Sequence, residues 1–298
     1  MAVTLMRHES ETTLNAFADA TEPCTIGKLN AGDEDEVLDF LAARPIHTVF
    51  MASLIRDNGL SSSRNRGSFY ACRDLQNQLE GVALIGHATL IEARTAASVR
   101  AFARLAGYCL NAHLIRGERE TINYFWKNYP SGGQELRLVC RELLFEQRKP
   151  LPLVEKVDTL RPATLRDLDP VLEVNAALAF EESGVNPLYS DPGGFRQRTA
   201  RRIEQDRVWV WVQEGKLIFK ADVIADTPQA VYLEGVYVHP EERLKGHGLR
   251  CMTQLARILL AQSNSICLTI NERNRNAAGF YAKAGYQLLS HYETIYLR

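Results

Sequence analysis

A short run between an apolar strand and a helix combines glycines with basic side chains. Val236–Leu249 reads VYVHPEERLKGHGL, with Arg243 and Lys245 ahead of Gly246 and Gly248. Glycines at a strand-to-helix turn let backbone N–H groups converge on one point, and the new helix adds the positive end of its dipole there. The run therefore predicts a cradle for a diphosphate group.

The loop by itself is also compatible with a plain glycine-rich turn. Two other phosphate-binding loops are excluded. The third glycine of a dinucleotide fingerprint would fall at Cys251, and no acidic residue follows at the ribose-binding distance. The chain contains no GxxxxGK[ST] sequence.

A second run, Asn274–Tyr286, reads NRNAAGFYAKAGY and follows a predicted strand. Helical spacing brings four of its apolar residues to one face: Ala277, Phe280, Tyr281 and Ala284. Gly285 is suited to the position just after a helix C terminus. The run therefore predicts an amphipathic helix packed beside the cradle.

Taken together, the two runs resemble the GCN5-related N-acetyltransferase (GNAT) superfamily. Its pattern Gln/Arg-x-x-Gly-x-Gly/Ala is matched from Arg243 to Gly248, and Asn-x-x-Ala-x-x-Phe/Leu-Tyr-x-x-x-Gly-Phe/Tyr is matched from Asn274 to Tyr286. The resemblance covers roughly residues 155–298. Glu181–Val185 and Lys220–Asp222 resemble a two-domain bacterial subgroup whose N-terminal half is a divergent GNAT-like domain.

The resemblance implies an α/β (α+β) fold of two tandem GNAT-like domains, each a mixed, mostly antiparallel central sheet flanked by helices. Independently, both halves show the element order β-α-α-β-β-β-α-β-α-β, which indicates a duplication. The Pro-containing stretch 147–153 predicts the boundary. We expect a flexible leader at 1–22, a divergent domain without a phosphate loop at 23–150, and the acetyltransferase domain at 151–298.

The resemblance also implies the reaction, in which an amine attacks the thioester of acetyl-coenzyme A directly. It places a general base at Glu234 and a general acid at Tyr281, whereas a solvated carboxylate and a core tyrosine are the structural alternatives. Glu181, Glu182 and Asp222 are candidates for binding a cationic primary amine, either as competitors for the base or as an attractive rim.

The coenzyme-binding set follows from the same resemblance. Val236 and Val238 would pair with the pantetheine arm like an added strand, which requires the fourth and fifth strands to splay, and a backbone N–H near Val238 would stabilise the carbonyl oxygen. Asn274 would contact the cofactor arm, cap the helix, or do both. The full set is Val236, Tyr237, Val238, Arg243, Leu244, Lys245, Gly246, His247, Gly248, Leu249, Asn274, Ala277, Phe280 and Tyr281.

Several elements must position these residues. Strands are predicted at 157–161, 208–213, 217–225, 230–238 and 266–270, with two short closing strands at 286–289 and 294–297. Thr164 with Asp167 predicts a capping box ahead of a helix at 165–181. Trp209 and Trp211 alternate on one strand and share a face. His239 and His247 are interpreted as loop residues.

Composition limits the remaining classes. The 298 residues include 35 Lys plus Arg and 36 Asp plus Glu, a formal charge of −1, which does not favour nucleic-acid binding. No apolar run approaches the ~20 residues of a membrane span.

The six cysteines form no CxxC or metal-ligand spacing, so we expect reduced thiols, no metal and a cytoplasmic location. The sequence is compatible with two oligomeric states, a monomer with pseudo-dimeric domains and a homodimer.

Two other functions compete with acetyl transfer. One is a non-catalytic acyl-coenzyme A-binding module that regulates through its partner domain. The other is an aminoacyl-tRNA-dependent transferase, which ranks third because such enzymes generally lack an intact pyrophosphate loop and this chain has no basic excess.

Overall fold

A computed structural model of the chain describes residues 24–153 and 155–298, so the predicted leader lies outside the described residues. The described residues form two compact units. Among the described residues, unit 1 comprises 24–141 and 291–298, and unit 2 comprises 142–153 and 155–290.

In unit 1 the strand order is β1-β2-β3-β4-β5-β12, and β4–β5 is the parallel pair among its described strands. Its elements are β1 (Thr25–Lys28), α1 (Glu34–Ala42), α2 (Pro45–Asn58), β2 (Gly67–Arg73), β3 (Leu79–Gly86), β4 (Ala88–Ala93), α3 (Ala96–Ala106), β5 (Leu114–Glu118), α4 (Arg119–Lys127) and β12 (Gln287–Leu297). Apolar side chains of α3 and α4 are buried with those of the strands in one core.

In unit 2 the order is β6-β11-β10-β9-β8-β7, with β10–β11 parallel and the other described pairs antiparallel. Its elements are β6 (Leu136–Gln147), β7 (Arg161–Pro162), α5 (Leu168–Ser183), α6 (Pro187–Ser190), α7 (Pro192–Glu204), β8 (Val208–Gln213), β9 (Lys216–Asp226), β10 (Val231–Val238), α8 (His247–Leu259), β11 (Ile266–Asn271) and α9 (Arg275–Lys283). The predicted fold class is confirmed, since in each unit the strand pairing is mixed and mostly antiparallel and helices flank the strands.

The division of the chain differs from the boundary expected at 150. Residues 142–147 of β6 pair with β11, and residues 292–296 of β12 pair with β5. Each unit thus takes part of a strand from the other half of the sequence, because residues 142–147 of β6 lie in unit 2 and residues 291–297 of β12 lie in unit 1. The stretch 147–153 is held within unit 2, where the side-chain amide of Gln147 donates to the carbonyls of Lys149 (3.2 Å) and Ala284 (3.1 Å).

Two strand predictions are corrected. The strand expected at 157–161 shrinks to Arg161–Pro162, because the Gln254 side chain bonds both backbone groups of Val157 (2.8 and 3.1 Å) and Leu160 N–H turns back to the Val157 carbonyl (3.0 Å). The two closing strands join into the single β12.

Other local predictions are confirmed. Cys251 and Cys267 are buried, and all six cysteines are free thiols. Trp209 and Trp211 pack into the same core cluster. None of the helices in the described part of the chain is both long and apolar enough to cross a membrane.

The capping box at the start of the first helical segment of unit 2 is also confirmed. Thr164 donates to Asp167 Oδ2 from its N–H (2.7 Å) and from its hydroxyl (3.0 Å). Arg161 adds two hydrogen bonds to the same carboxylate (2.8 and 3.0 Å). These partners, Arg161 first, lower the pKa of the Asp167 carboxyl to about 2.

An Asp167→Asn variant is expected to lose about 1 kcal/mol of stability at neutral pH, since it weakens a cap and an ion pair. The native pKa lies below the unfolded one, so the carboxylate stabilises the fold above about pH 4 and this contribution vanishes as pH falls through about 2. Denaturant titrations between pH 7 and 2 should therefore converge for variant and wild type. Asp158→Asn, at an exposed ion pair with Lys156, should change little. A stability difference between Asp167→Asn and wild type that does not change with pH would contradict the role of the ionised Asp167 carboxylate.

Candidate active site

β10 and β11 separate soon after they meet. They pair at Val231–Ile266 and Tyr232–Cys267, although β10 continues to Val238. From Leu233 onward, the edge of β10 that faces β11 thus has no strand partner among the described strands. The backbone there is available to hydrogen-bond an extended ligand.

The cradle loop follows β10 directly. Gly246 caps α8 with a positive φ of 83°, and the first helical bond runs from Arg250 N–H to the Gly246 carbonyl (3.1 Å). The N–H groups of residues 247–249 therefore lie at the open helix N terminus, where the helix dipole is positive. A Cβ at Gly248 would lie 3.0 Å from Val238 Cγ2 and 3.3 Å from the Phe280 ring, so the site has little room for a side chain.

The basic side chains of this loop have intramolecular partners. Arg243 Nε donates to the Val238 carbonyl (3.1 Å), and Lys245 Nζ donates to Glu242 Oε2 (2.9 Å). The hydrogen bond from Lys245 lowers the pKa of the Glu242 carboxyl. His247 stands 3.4 Å from the same carboxylate and edge-on to a tryptophan ring. Leu244 is fully exposed.

The second motif forms α9 as predicted. Asn274 Oδ1 accepts the N–H of Ala277 (3.0 Å), which confirms its capping role. Gly285 has a φ of 92°, and the next N–H, of Tyr286, returns to the Tyr281 carbonyl (3.0 Å). The expected apolar face packs into the core of unit 2, so this helix and the cradle share one hydrophobic base.

Tyr281 is 8% exposed, and its ring lies edge-on to Phe280 and Tyr286 (centroids 5.1 and 5.6 Å apart). Burial raises the pKa of its phenol. The hydroxyl therefore keeps its proton at physiological pH and can donate a hydrogen bond or a proton.

The acidic residues divide into two groups. Glu182, Asp222 and Glu234 line one cavity of about 200 Å³ between α5, α7 and the bulged part of β10. Glu234 is exposed and stands opposite Asp222 in the β10–β9 register. Glu181 is exposed on α5 and does not line this cavity.

Asp222 already has internal partners. It is 2% exposed and accepts hydrogen bonds from Lys220 Nζ (2.6 Å), Arg202 Nη1 (3.1 Å) and Asn175 Nδ2 (3.1 Å). Lys220 is fully buried, and this burial lowers the pKa of its ammonium. Asp222 is thus the counter-ion of an internal network on the wall of the cavity.

Gly235 makes room for this network. Its φ is 59°, and a Cβ there would lie 2.8 Å from Lys220 Nζ. Sequence reasoning assigned no role to Lys220, Arg202, Asn175 or Glu242. The sequence did contain one signal for the Lys220–Asp222 pair. These two charged residues lie two positions apart within a mostly apolar strand, so their side chains must share one face of it.

In unit 1, β4 and α3 occupy the places in the element order that β10 and α8 occupy in unit 2, but a shorter connection joins them. β4 ends at Ala93 and α3 begins at Ala96. Thr95 caps this helix by accepting the N–H of Ser98 (3.2 Å). A protein side chain therefore occupies the helix N terminus that a phosphate would need.

Part of the chain matches a family of known proteins, and solved structures share its fold. Residues 175–286 match the acetyltransferase (GNAT) family. No curated protein matches the chain. Three solved structures share the fold at low identity. They are a Drosophila protein (13% identity, 92% of this chain and 98% of that one, TM-score 0.65), a tandem GNAT protein from the clavulanic acid biosynthesis pathway (14%, 91% and 98%, 0.55) and a GNAT-family acetyltransferase from Colwellia psychrerythraea (12%, 92% and 100%, 0.54).

Proposed function

We propose that this chain, which carries an acetyltransferase domain of the GNAT family at residues 175–286, moves an acetyl group from acetyl-coenzyme A to a primary amine. The observation that carries the proposal is the continuity of β10 with the cradle. β10, whose edge has no partner among the described strands from Leu233 onward, leads through residues 239–246 to the open N terminus of α8. One extended ligand with an amide-bearing arm and a diphosphate can use both.

Backbone groups supply most of the coenzyme site. The N–H groups of residues 247–249 receive the diphosphate, and Arg243 and Lys245 add positive charge. Val236 and Val238 offer backbone groups to the amide-bearing arm. When bound, the coenzyme supplies the acetyl thioester that the amine attacks.

The acceptor amine must lose a proton, because an unperturbed alkylamine has a pKa near 10.4. Glu234 is the carboxylate we assign to this task, since it is exposed at the cavity wall on the strand that leads to the cradle. Asp222 is less suited because three internal donors engage it. Glu182 and Glu234 give the cavity a negative rim, which favours a cationic amine.

Tyr281 is assigned as the proton donor to the leaving thiolate. Tyr281→Phe is expected to lower kcat tenfold or more with little change in the Kd for coenzyme A, because general acids contribute roughly 10²–10⁴ in rate. Stopped-flow or thiol-release kinetics and calorimetry separate the two quantities.

Tyr286→Phe is the matched control. Tyr286 follows α9, and its buried ring lies edge-on to the ring of Tyr281. Its hydroxyl has no hydrogen-bond partner among the described residues. This variant should keep wild-type kcat. Equal rates for Tyr281→Phe and wild type would remove Tyr281 from the mechanism.

The function itself is tested by calorimetry with coenzyme A and by acetyl transfer to a panel of cationic and anionic primary amines. We expect micromolar binding and transfer that favours the cationic members. Binding without transfer to any amine would favour the non-catalytic acyl-coenzyme A-binding module. No binding would overturn the site.

A further inference from the structure

Unit 1 contains an open cleft that the proposed acetyl transfer does not use. It lies where β2 begins and β3 ends, beside the last turn of α3, and has a volume of about 560 Å³. Ligand pockets for small molecules commonly span about 300–1,000 Å³. The polar and aromatic side chains that line it are Arg66, Ser68, Tyr70, His87, Tyr108 and Asn111.

Two basic side chains line the cleft. Arg66 and His87 line it, and none of its lining residues is acidic. His113 stands directly behind His87. Burial, followed by the positive charges of Arg137 and Arg66, lowers the pKa of the His113 imidazole. His113 is therefore neutral at physiological pH, and Arg66 and His87 are the basic residues of the lining.

Backbone hydrogen bonds connect the basic residues of the cleft. The Arg66 carbonyl accepts the His87 N–H (2.8 Å), and the His87 carbonyl accepts the His113 N–H (2.8 Å). Arg66 itself has a φ of 54° and a ψ of 31°, a left-handed conformation that side-chain-bearing residues rarely adopt. Such strained positions cluster at ligand sites, where the surrounding structure holds them in place.

Two glycines beside the cleft allow the backbones of β2 and β3 to approach closely. Gly67 and Gly86 are paired across β2 and β3. A Cβ at Gly86 would lie 2.3 Å from both the Arg66 carbonyl oxygen and the Gly67 Cα, so the two backbones can approach only without side chains. The Arg66 turn and the His87 turn therefore meet at one point of the cleft.

Aromatic rings complete the lining. The imidazoles of His87 and His113 are stacked, with centroids 5.0 Å apart and planes 10° apart. Tyr108 is 83% exposed in the lining, although large apolar side chains are usually covered. A planar ring stacked on an aromatic side chain gains about 1–3 kcal/mol in nucleic-acid complexes.

We propose that this cleft binds a small planar anion of the nucleoside monophosphate class, with the Arg66 guanidinium holding the phosphate and Tyr108 and His87 contacting the ring. Arginine suits the anion because its planar fork donates two hydrogen bonds to phosphate oxygens. The proposal does not depend on acetyl transfer, since all of its residues belong to unit 1.

Calorimetry with adenosine monophosphate as the probe tests this site in the full-length chain. We expect saturable binding with a Kd of tens to hundreds of micromolar, and at least tenfold weaker binding of adenosine, which has the ring without the charge. Absence of saturation at millimolar probe, or equal affinity for adenosine, would overturn the proposal.

Arg66→Gln is expected to weaken the binding of adenosine monophosphate at least tenfold. Arg64→Gln is the matched control, since Arg64 is an exposed arginine two residues away that does not line the cleft. Equal losses in both variants would indicate non-specific attraction and contradict the site.

Arg66→Gly separates binding from folding. Glycine adopts a positive φ without strain, so the melting temperature should be unchanged or higher while the probe affinity falls as in Arg66→Gln. Retained affinity in this variant would exclude the guanidinium. Acetyl transfer should be the same in all three variants.

Discussion

Gly248→Asp is expected to lower the affinity for coenzyme A at least a hundredfold, which corresponds to about 2.7 kcal/mol of binding free energy. The substitution acts in two ways. A Cβ at this position comes within 3.0 Å of Val238 Cγ2, so the backbone must move away from the strand that leads into the cradle. The new carboxylate also occupies the positive end of α8, where the diphosphate would sit.

Two further variants separate these causes. Gly248→Ala adds the steric contact without the charge and should cost less affinity than Gly248→Asp. Gly193→Asp adds the same charge in the first turn of α7, where a Cβ meets open space, and should leave affinity unchanged. Acidic residues are favourable in a first helical turn, so neither aspartate should unfold the protein. Wild-type affinity in Gly248→Asp would disprove the site.

Asp222→Ala is expected to lower the free energy of unfolding by about 3–5 kcal/mol, the usual cost of leaving a buried charge without its partner. The ammonium of Lys220 is fully buried and has Asp222 as its hydrogen-bond acceptor at 2.6 Å. Removal of the carboxylate leaves that ammonium in an apolar interior. Urea denaturation at pH 7 measures the loss.

The double variant Lys220→Met/Asp222→Leu is the control. It removes both charges and fills a similar volume, so it should recover stability to within about 1 kcal/mol of wild type. Arg202, whose side chain is 24% exposed, can then turn toward solvent. A double variant as unstable as Asp222→Ala would mean that shape, rather than the unpaired charge, causes the loss.

The sequence by itself determined the features that depend on neighbouring residues. Gly246 and Gly248 before an apolar helix specify the turn into α8, and Asn274 with Gly285 specifies both ends of α9, because caps and turns use residues a few positions apart. The turn and both ends of α9 form as predicted, whereas the binding of a diphosphate at that turn stays a prediction. The order of strands and helices in the two halves also matches the prediction, except that the second half has the additional short helix α6. The roles of Tyr281 and Glu234 stay predictions, because residue type and burial describe a side chain but not its part in a reaction.

The tertiary structure alone decided which strands pair and which charges meet. A two-residue alternation specifies the buried face of a strand but not the strand that pairs with it. The pairing of β6 with β11 and of β12 with β5 therefore had no local signal in the sequence. Likewise, the sequence alone does not show that Asp222 has hydrogen-bond donors. Its partners Asn175 and Arg202 lie 47 and 20 residues away along the chain. Partners this distant along the chain come together only when the sheet and helices have packed, which is why burial and pairing are properties of the fold.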